Sequence, residues 1–478
     1  MLHLMWITAI INNLRLLFRL RRYKHHKIEL DKIENRDKKI KHLVGITFYK
    51  EPLELLFDTL DSLANQPNAR EKISVFGGME AGTPDKEELE KTLKAKYTSQ
   101  FERFYITVHP KGLPGDIPGK CSNLNYAARM AVKYLKEDRA YNFKSVEVLV
   151  TTGDVDNIFG DRYFDALEED YWKLSPDQRY NTVWQSPLFY CMNIDKSPFF
   201  VRNIGLLRAF FMMGYLIPWN INTMSVFSLT LKLYQDGEFT HPGYQMEDII
   251  ALIRWMCVTG KRCIIRPIPV ATLSGPTSGS NYFQEFYEWA RQIRRWTIGA
   301  AEVFHYFAIK SKVLPFYVTI TWALRFISYY GVILCMASTY SIIAPFVTTA
   351  LLKAVGQVPV KGLVVPNEAT FNWILLGFLG LQYLWFFFVC LINRLAEPIF
   401  PKKIKDETGI IRKIFHFLMM WPTMTAYCCV EVAAFLEVTI RGKAVCSHSA
   451  SKKDGLVVKK GGQSVHPTSD LNPDRFDV

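Results

Sequence analysis

The chain has 478 residues and a net charge of +13, with 49% hydrophobic, 14% aromatic and 22% charged residues. The length allows a large globular domain and a further segment, and the apolar share is high for a wholly soluble protein. The basic residues flank apolar runs and no nucleic-acid-binding motif is visible, so the charge favours an anionic membrane surface over nucleic acid as the partner.

The first 22 residues form a short apolar stretch that Asn12, Asn13 and Arg15 interrupt. The positive charges of "RLRRYKHHK" follow this stretch, whereas a secretory signal carries them in front. We expect a membrane anchor or interfacial helix over residues 1–22, with its basic flank on the cytosolic side. An amphipathic helix that only covers the next domain fits the same pattern.

Residues 42–310 alternate apolar, β-forming runs with segments of helical periodicity. Four runs predict strands, at 42–49, 72–78, 104–110 and 145–157. Three segments between them predict helices, at 54–66, 85–97 and 121–135. The alternation predicts an α/β domain with a parallel sheet of βαβ units, which binds ligands outside the carboxyl ends of its strands.

After residue 310 the composition becomes that of membrane-spanning helices. Three runs are candidate spans, at 316–352, 371–393 and 414–440. The first is one span with an interfacial lead-in or a hairpin. The third is weakened by Pro422, Glu431 and Glu437. We expect transmembrane or interfacial helices over 315–440, a cytosolic Lys/Arg-rich segment at 394–413 and a disordered polar tail over 441–478.

Two aspartates follow the buried strand predicted at 145–157, in "TTGDVDN". Asp154 and Asp156 are two residues apart on a strand-to-loop turn, so their carboxylates can jointly bind one hard divalent cation, which can in turn hold a diphosphate. The alternative is an ordinary turn, because Asp and Asn favour turns after strands.

Glu247 and Asp248 begin a predicted helix, in "GYQMEDIIALIRW". Acids at a helix N-terminus are stabilised by the helix dipole, which is sufficient to explain them. A buried carboxylate at this place that points into a cleft can instead act as a general base.

A long predicted helix at 282–307 carries "QIRRW" ahead of the first apolar run. Gln292, Arg295 and Trp296 occupy positions i, i+3 and i+4 and therefore share one helix face. A guanidinium binds phosphate through paired donors, and an indole offers a flat apolar plate. An amphipathic helix at a membrane surface, with Arg and Trp at the interface, explains the same residues.

Taken together and in this order, the DxD, the ED, the QxxRW and the spans resemble the family 2 glycosyltransferases. Within that family the chain is similar to the membrane-embedded synthases of the cellulose, chitin and hyaluronan type, over roughly residues 42–310. The resemblance implies a cytosolic catalytic domain of the GT-A nucleotide-sugar-binding fold. It also implies transfer of a sugar, with inversion, from a nucleoside-diphosphate donor, expected to be UDP-linked, to a growing β-linked glycan.

The resemblance implies roles for the motif residues. Asp154 and Asp156 match the DxD that binds the donor diphosphate through Mn²⁺ or Mg²⁺. Asp248 matches the base of the "TED"-type motif, here "MED", and Glu247 lies beside it on the acceptor side. Three further residues match QxxRW, which holds the diphosphate and the acceptor sugar: Gln292, Arg295 and Trp296.

Two other residues match family positions near the nucleotide. Glu51, in "FYKE", matches the acid after the first strand, and Lys120, in "PGKCSNLNYA", looks like the lysine of the family's "KAGALN" segment. The chain departs from the family after the second strand, where an aspartate is usual. Glu80 or Asp85 could stand in for it.

Three functions stay open at this stage. The first is a polysaccharide synthase, and the second is transfer of a single sugar to a membrane lipid, as in ceramide-type glucosyltransferases. Three or four spans are few for a polymer pore, although a homo-oligomer could supply more. The third is a non-catalytic membrane scaffold or transporter, which predicts tolerance of Asp248→Asn.

Overall fold

The structure is a computed structural model that describes residues 2–26, 28, 38–275, 281–336, 368–401 and 404–442. The predicted tail beyond residue 442 lies outside the described residues, as does the part of the first candidate span after residue 336.

The described strands form two sheets. Their bounds are β1 Lys39–Phe48, β2 Ile73–Glu80, β3 Arg103–His109, β4 Val146–Asp154, β5 Ile158–Phe159, β6 Thr182–Gln185, β7 Leu188–Tyr190, β8 Phe227–Thr230, β9 Ile264–Pro267 and β10 Thr272–Ser274. The larger sheet has the order β3-β2-β1-β4-β8-β6-β9, and the smaller one has the order β5-β10-β7. β3, β2, β1 and β4 are mutually parallel, whereas β8 runs antiparallel to both of its neighbours.

Helices pack on the sheet and make up most of the described C-terminal half. Their bounds are α1 Leu2–Lys24, α2 Leu53–Ala64, α3 Ala69–Lys72, α4 Lys86–Tyr97, α5 Lys120–Glu137, α6 Tyr163–Trp172, α7 Pro176–Tyr180, α8 Phe199–Phe211, α9 Leu231–Asp236, α10 Glu247–Thr259, α11 Tyr282–Lys310, α12 Phe316–Phe326, α13 Glu368–Ala396, α14 Ile410–Leu418 and α15 Met420–Arg441. π-helical turns extend α8 over Met212–Leu216 and α12 over Ile327–Met336.

The predicted fold class, an α/β domain with a parallel sheet, is confirmed. The four predicted strands correspond to β1 to β4, and the three predicted helices correspond to α2, α4 and α5. The apolar face predicted for α2 is the buried one, comprising Leu55, Leu56, Thr59, Leu60 and Leu63. Because β1 lies between β2 and β4, the strand order reverses there, and a ligand crevice is expected at the carboxyl ends of these strands.

The strand register brings the functional candidates to one edge of the larger sheet. Thr47 of β1 pairs with Asp154 of β4, and Glu80 of β2 pairs with His109 of β3. The carboxyl ends of four strands therefore meet at the same level.

The described residues contain three helices that are long and apolar enough to cross a membrane: Phe199–Leu216, Leu379–Ile399 and Met420–Arg441. The first was not singled out from the sequence, and it is largely buried against α1, α13 and α15. The predicted span at 371–393 lies within α13. The predicted span at 414–440 is two helices instead of one, because the chain leaves the helical conformation at Met419.

α1 has two apolar faces. One face packs on the π-helical turn after α8 and on α13, and its Trp6 ring lies parallel to Trp385 at a centroid distance of 6.3 Å. The opposite face exposes Leu4 and Phe18. α1 therefore covers neighbouring helices with one face and leaves a second apolar face exposed.

Candidate active site

A cavity of about 430 Å³ opens at the carboxyl ends of β1, β2 and β3. Its walls include Phe48, Glu80 and His109, the last residues of these three strands, and Lys120 at the start of α5. The volume is in the range of pockets that enclose a small organic ligand. The sheet edge thus provides a binding cavity at the place where parallel α/β sheets usually bind ligands.

Glu51 and Glu80 both line this cavity. The Glu51 carboxylate accepts hydrogen bonds from the backbone N–H groups of Tyr49 and Lys50, at 2.7 and 3.1 Å, which fixes it against the end of β1. Of the two residues that could stand in for the family aspartate, Glu80 lies in the cavity wall, whereas Asp85 precedes α4 as its N-cap residue.

His109 holds two acids of the cavity wall in place. Its Nδ1 lies 3.1 Å from Glu80 Oε2, and its Nε2 lies 3.0 Å from Asp116 Oδ2. The side chain is almost fully buried, so both contacts are shielded from water. The histidine therefore links the end of β2 to the loop that leads into α5.

Lys120 joins two of the predicted motifs. Its Nζ lies 2.7 Å from Asp154 Oδ1 and 2.7 Å from Glu247 Oε1. Burial alone would lower the pKa of the amine, but the two carboxylates outweigh burial and raise the pKa above its usual value. The DxD and the ED therefore meet at the amine of Lys120, although they are far apart in the sequence.

Asp156 points to a different partner from Asp154. It is 2% exposed, and its Oδ2 accepts hydrogen bonds from Ser274 Oγ at 2.9 Å and from the Gly275 backbone N–H at 3.2 Å. The Asp154 backbone N–H donates to Asn157 Oδ1 at 2.6 Å, so the turn after β4 is fixed by its own asparagine. The predicted Asx-rich turn is thus present, with the Asp154 carboxylate partly exposed and the Asp156 carboxylate buried.

Asp248 occupies the first turn of α10. Its Oδ1 accepts a hydrogen bond from the Ile249 backbone N–H at 2.8 Å, and its backbone carbonyl accepts one from Thr223 Oγ1 at 3.0 Å. Burial and the neighbouring charge of Glu247 raise the pKa of Asp248 to about 7, against the opposing effect of Lys120. A carboxylate with this pKa can exchange a proton near neutral pH.

Arg295 and Trp296 lie on α11 beside the acids. Arg295 interacts electrostatically with Asp154 and Glu247, and burial lowers the pKa of its guanidinium. Gln292 is half-buried one helical turn earlier on the same face. α11 approaches the start of α10 closely because Gly299 has no side chain where Met246 packs.

The neighbouring arginine of "QIRRW" has a structural contact instead. Arg294 donates two hydrogen bonds to Glu437 of α15, at 2.6 and 2.8 Å. The two consecutive arginines thus point to different sides of α11. Arg295 points to the acids Asp154 and Glu247, and Arg294 points to α15.

Sequence reasoning missed two residues of this cluster, Tyr190 and Arg208. The Arg208 guanidinium lies 4.0 Å from the Trp296 ring centroid and 5.0 Å from that of Tyr190, and it interacts electrostatically with Asp248. Burial, followed by the charges of three acids, raises the pKa of Tyr190 to about 12. These three acids are Asp154, Asp156 and Asp248. An arginine inside the apolar run 199–216 was the available signal, because such a charge is rarely placed in an apolar helix without a role.

No protein-family model and no curated protein matches the chain. Solved structures of low identity are similar to it, and three examples follow. The mannosyltransferase PcManGT from Pyrobaculum calidifontis, in complex with GDP-Man and Mn²⁺, is 13% identical with a TM-score of 0.46, covering 92% of this chain and 99% of that one. S. aureus TarS 1–349 in complex with UDP-GlcNAc is 13% identical with a TM-score of 0.34, covering 84% and 92%. GalNAc-T7 with UDP, GalNAc and Mn²⁺ is 10% identical with a TM-score of 0.32, covering 52% and 48%.

Proposed function

We propose that the protein is an inverting glycosyltransferase that moves a sugar from a nucleoside-diphosphate donor, UDP-linked, to a growing β-linked glycan at the membrane face. The observation that carries the proposal is the position of Lys120 between Asp154 and Glu247, at the wall of the cavity at the sheet edge. Removing charged groups from water costs free energy that pairing returns only in part, so a non-catalytic scaffold would gain little stability from gathering them here.

The nucleoside of the donor would bind in the cavity. Glu51 and Glu80 provide hydrogen-bond acceptors for base and ribose groups, and the backbone of β1 ends against the same space. Lys120 at the inner wall and Arg295 beside it supply positive charge for the diphosphate. The donor would therefore lie with its nucleoside in the cavity and its phosphates towards Lys120 and Asp154.

Asp154 and Asp156 would hold a divalent cation of the nucleotide-binding kind. The described residues contain no group of three or more His, Cys, Asp or Glu that could hold a metal ion, so protein ligands alone would not complete a coordination sphere. Mg²⁺ and similar ions are commonly bound by one or two carboxylates together with substrate phosphates. When bound, Mn²⁺ or Mg²⁺ would neutralise the charge that develops on the leaving diphosphate.

Asp248 would take the proton from the acceptor hydroxyl. Its raised pKa keeps the carboxylate basic enough to accept a proton at neutral pH, and Arg208 and Lys120 are close enough to stabilise its ionised form. Attack from the side opposite to the leaving diphosphate inverts the anomeric centre. An α-linked donor then yields a β-linked product without a covalent intermediate.

An acceptor sugar would stack on the indole ring of Trp296, beside Arg208. Trp296 lies on α11, which packs along α15, one of the three helices that are apolar enough to cross a membrane. We therefore infer an integral membrane protein with the catalytic domain on the cytosolic side and the acceptor held at the bilayer face.

A single-sugar transfer to a membrane lipid is the second candidate, and the small number of apolar helices favours it. Three such helices are present in the described part of the chain, and one of them, Phe199–Leu216, is packed inside the protein. A homo-oligomer would be needed to build a wide pore. Product length decides between the two: a radiolabelled nucleotide sugar should give long polymer for the synthase and a monoglycosylated lipid for the alternative.

The proposal is tested with the full chain purified in detergent, Mn²⁺ and a panel of nucleotide sugars, scored by release of nucleoside diphosphate. Asp248→Asn should abolish transfer, whereas Asp177→Asn, an exposed aspartate on α7, should leave it unchanged. Absence of release with every donor, or full transfer by Asp248→Asn after subtraction of hydrolysis, would contradict the proposal.

A further inference from the structure

Glu431 is a buried carboxyl that the proposed reaction does not use. It lies on α15, inside the apolar helix Met420–Arg441, and is 3% exposed. Its Oε2 has no hydrogen-bond partner among the described residues. The neighbouring acid of the same helix, Glu437, is by contrast held by Arg294 and Arg441.

A carboxyl in this position needs a partner in either protonation state. The ionised form is an acceptor only, and the protonated form has one donor and further acceptor capacity. Leaving such a group unsatisfied in a water-free interior costs free energy, and ionisable residues inside membrane helices are therefore mostly functional. A hydroxyl group can satisfy both forms, because it donates and accepts.

The elements packed around Glu431 connect it to the candidate active site. α15 packs against α8, α11 and the π-helical segment Ile327–Met336. Glu431 lies one helical turn after Tyr427 on α15, and Tyr329 belongs to the π-helical segment that packs against this helix. Arg208 lies close enough to both tyrosines to influence them electrostatically. Arg208 in turn stacks on Trp296 at 4.0 Å.

The backbone next to Glu431 also points to a functional position. Tyr329 belongs to a π-helical segment, a form that is frequent at functional sites. Its ring stacks on Tyr215 at 6.2 Å, and the hydroxyl of Tyr215 lies 3.2 Å from Ser328 Oγ. Hydroxyls and aromatic faces therefore accompany the carboxyl in a region that is otherwise apolar.

We propose that Glu431, together with Tyr329 and Tyr427, forms a subsite that binds a hydroxyl group of the acceptor behind Trp296. The subsite rests on the proposed function and specifies its acceptor side. The ligand chemistry is that of a sugar ring, whose C–H faces pack on aromatic rings while its hydroxyls bond to a carboxyl. Such a ring belongs either to a free glycan or to a glycolipid headgroup.

The test compares Glu431→Gln and Glu431→Leu with wild type in the full chain. Transfer from the radiolabelled donor is measured to chitotriose, as a free glycan, and to n-octyl β-D-glucoside, as an amphiphilic glycoside. Leu should raise the acceptor KM about tenfold, as expected for loss of a hydrogen bond to a carboxyl group, and Gln should raise it less. The donor KM and the hydrolysis of donor by water should stay unchanged, which a merely structural role would not preserve.

Glu437→Gln is the matched control, because it makes the same change on the same helix beside Arg294 and should leave the acceptor KM unaltered. Should Glu431→Leu fail to fold, Tyr427→Phe removes a hydroxyl of the same subsite and should raise the acceptor KM on its own. The probe that responds to the substitutions identifies the source of the sugar ring.

The outcomes separate the two proposals. Acceptor KM values that are equal in wild type and in the Glu431 and Tyr427 variants overturn the subsite and leave the transferase intact, as does a parallel rise in the donor KM. Wild type that hydrolyses donor but transfers to neither probe overturns the sugar ring as ligand. Wild type that neither hydrolyses nor transfers overturns the proposed function itself.

Discussion

The amine of Lys120 lies 2.7 Å from the carboxylate of Asp154, and this ion pair joins the first turn of α5 to the end of β4. The same amine contacts Glu247, so one cation holds two acids of different motifs within a few ångströms. Without it, the partly exposed Asp154 carboxylate and the buried Glu247 carboxylate would repel each other with less compensation.

Lys120→Met should therefore lower donor turnover by about 100-fold or more, the scale at which removal of one positioned charge-stabilising donor acts. The KM for the nucleotide sugar should rise with it. Lys133→Met, an exposed lysine on the same helix, is the control and should behave as wild type. Turnover within about twofold of wild type would show that Lys120 is structural only.

Asp248 predicts the pH dependence of the reaction. Its pKa is raised to about 7, and only the ionised form can act as a base. The value of kcat/KM should therefore fall below about pH 7 and level off above it. Asp177→Asn should retain this profile, because its side chain is exposed on α7. A profile that is flat between pH 5 and pH 8 would contradict the assignment of the base.

The same pKa makes a prediction about stability. The folded protein binds the Asp248 proton more tightly than the unfolded chain, whose aspartates titrate near pH 4. Ionisation of Asp248 at higher pH therefore costs stability, progressively from about pH 4 to above pH 7. Asp248→Asn removes this cost, so its Tm should exceed that of wild type at pH 8 and match it at pH 4. An inactive variant that also melts earlier at pH 8 would point to misfolding.

Ser274 offers a test of the metal site that leaves its two acids in place. Its hydroxyl and the Gly275 N–H hold Asp156, whose carboxylate is one of the two proposed ligands. Ser274→Ala should raise the Mn²⁺ concentration for half-maximal activity about tenfold or more, the usual effect of losing a group that orients a metal ligand. Chelation should abolish activity in both proteins, and added Mn²⁺ should restore it. An unchanged Mn²⁺ requirement would indicate that Asp156 does not bind the ion.

The sequence was informative wherever structure depends on local periodicity. The face of α2 that carries Leu55 and Leu60 is buried as predicted, because apolar residues at helical spacing have only one way to reach a core. The break at Met419 also had a local signal: Pro422 lies in the first turn of α15, where a missing N–H costs nothing. That proline indicates a helix start and not the interior of a span.

The parts that could not be predicted depend on contacts between distant segments. Arg208 belongs to no motif, and only the folded chain shows that α8 brings it against Trp296. The four residues of β8 are too few to show a period, and nothing in them indicates their antiparallel pairing with β4 and β6. The roles of the site residues came from motif order and stay predictions until they are measured.

Two substitutions at Arg208 separate the effect of its charge from the effect of its planar shape. Its guanidinium stacks on Trp296 and Tyr190, and its charge also stabilises the ionised form of Asp248. Arg208→Lys keeps the charge and loses the planar stack, so the acceptor KM should rise about 2- to 30-fold while the pH profile stays in place. Arg208→Ala loses both, and its falling acid limb should move to higher pH, because the pKa of Asp248 rises when a nearby cation is removed.

Arg179→Ala is the matched control, since Arg179 also stacks on two rings, Tyr171 and Trp172, at 4.5 and 4.6 Å. It should change neither the acceptor KM nor the pH profile, whatever it does to the Tm. An Arg208→Ala profile that coincides with wild type would remove Arg208 from the environment of the base, and a lysine variant with the wild-type acceptor KM would show that stacking on Trp296 plays no part in binding the acceptor.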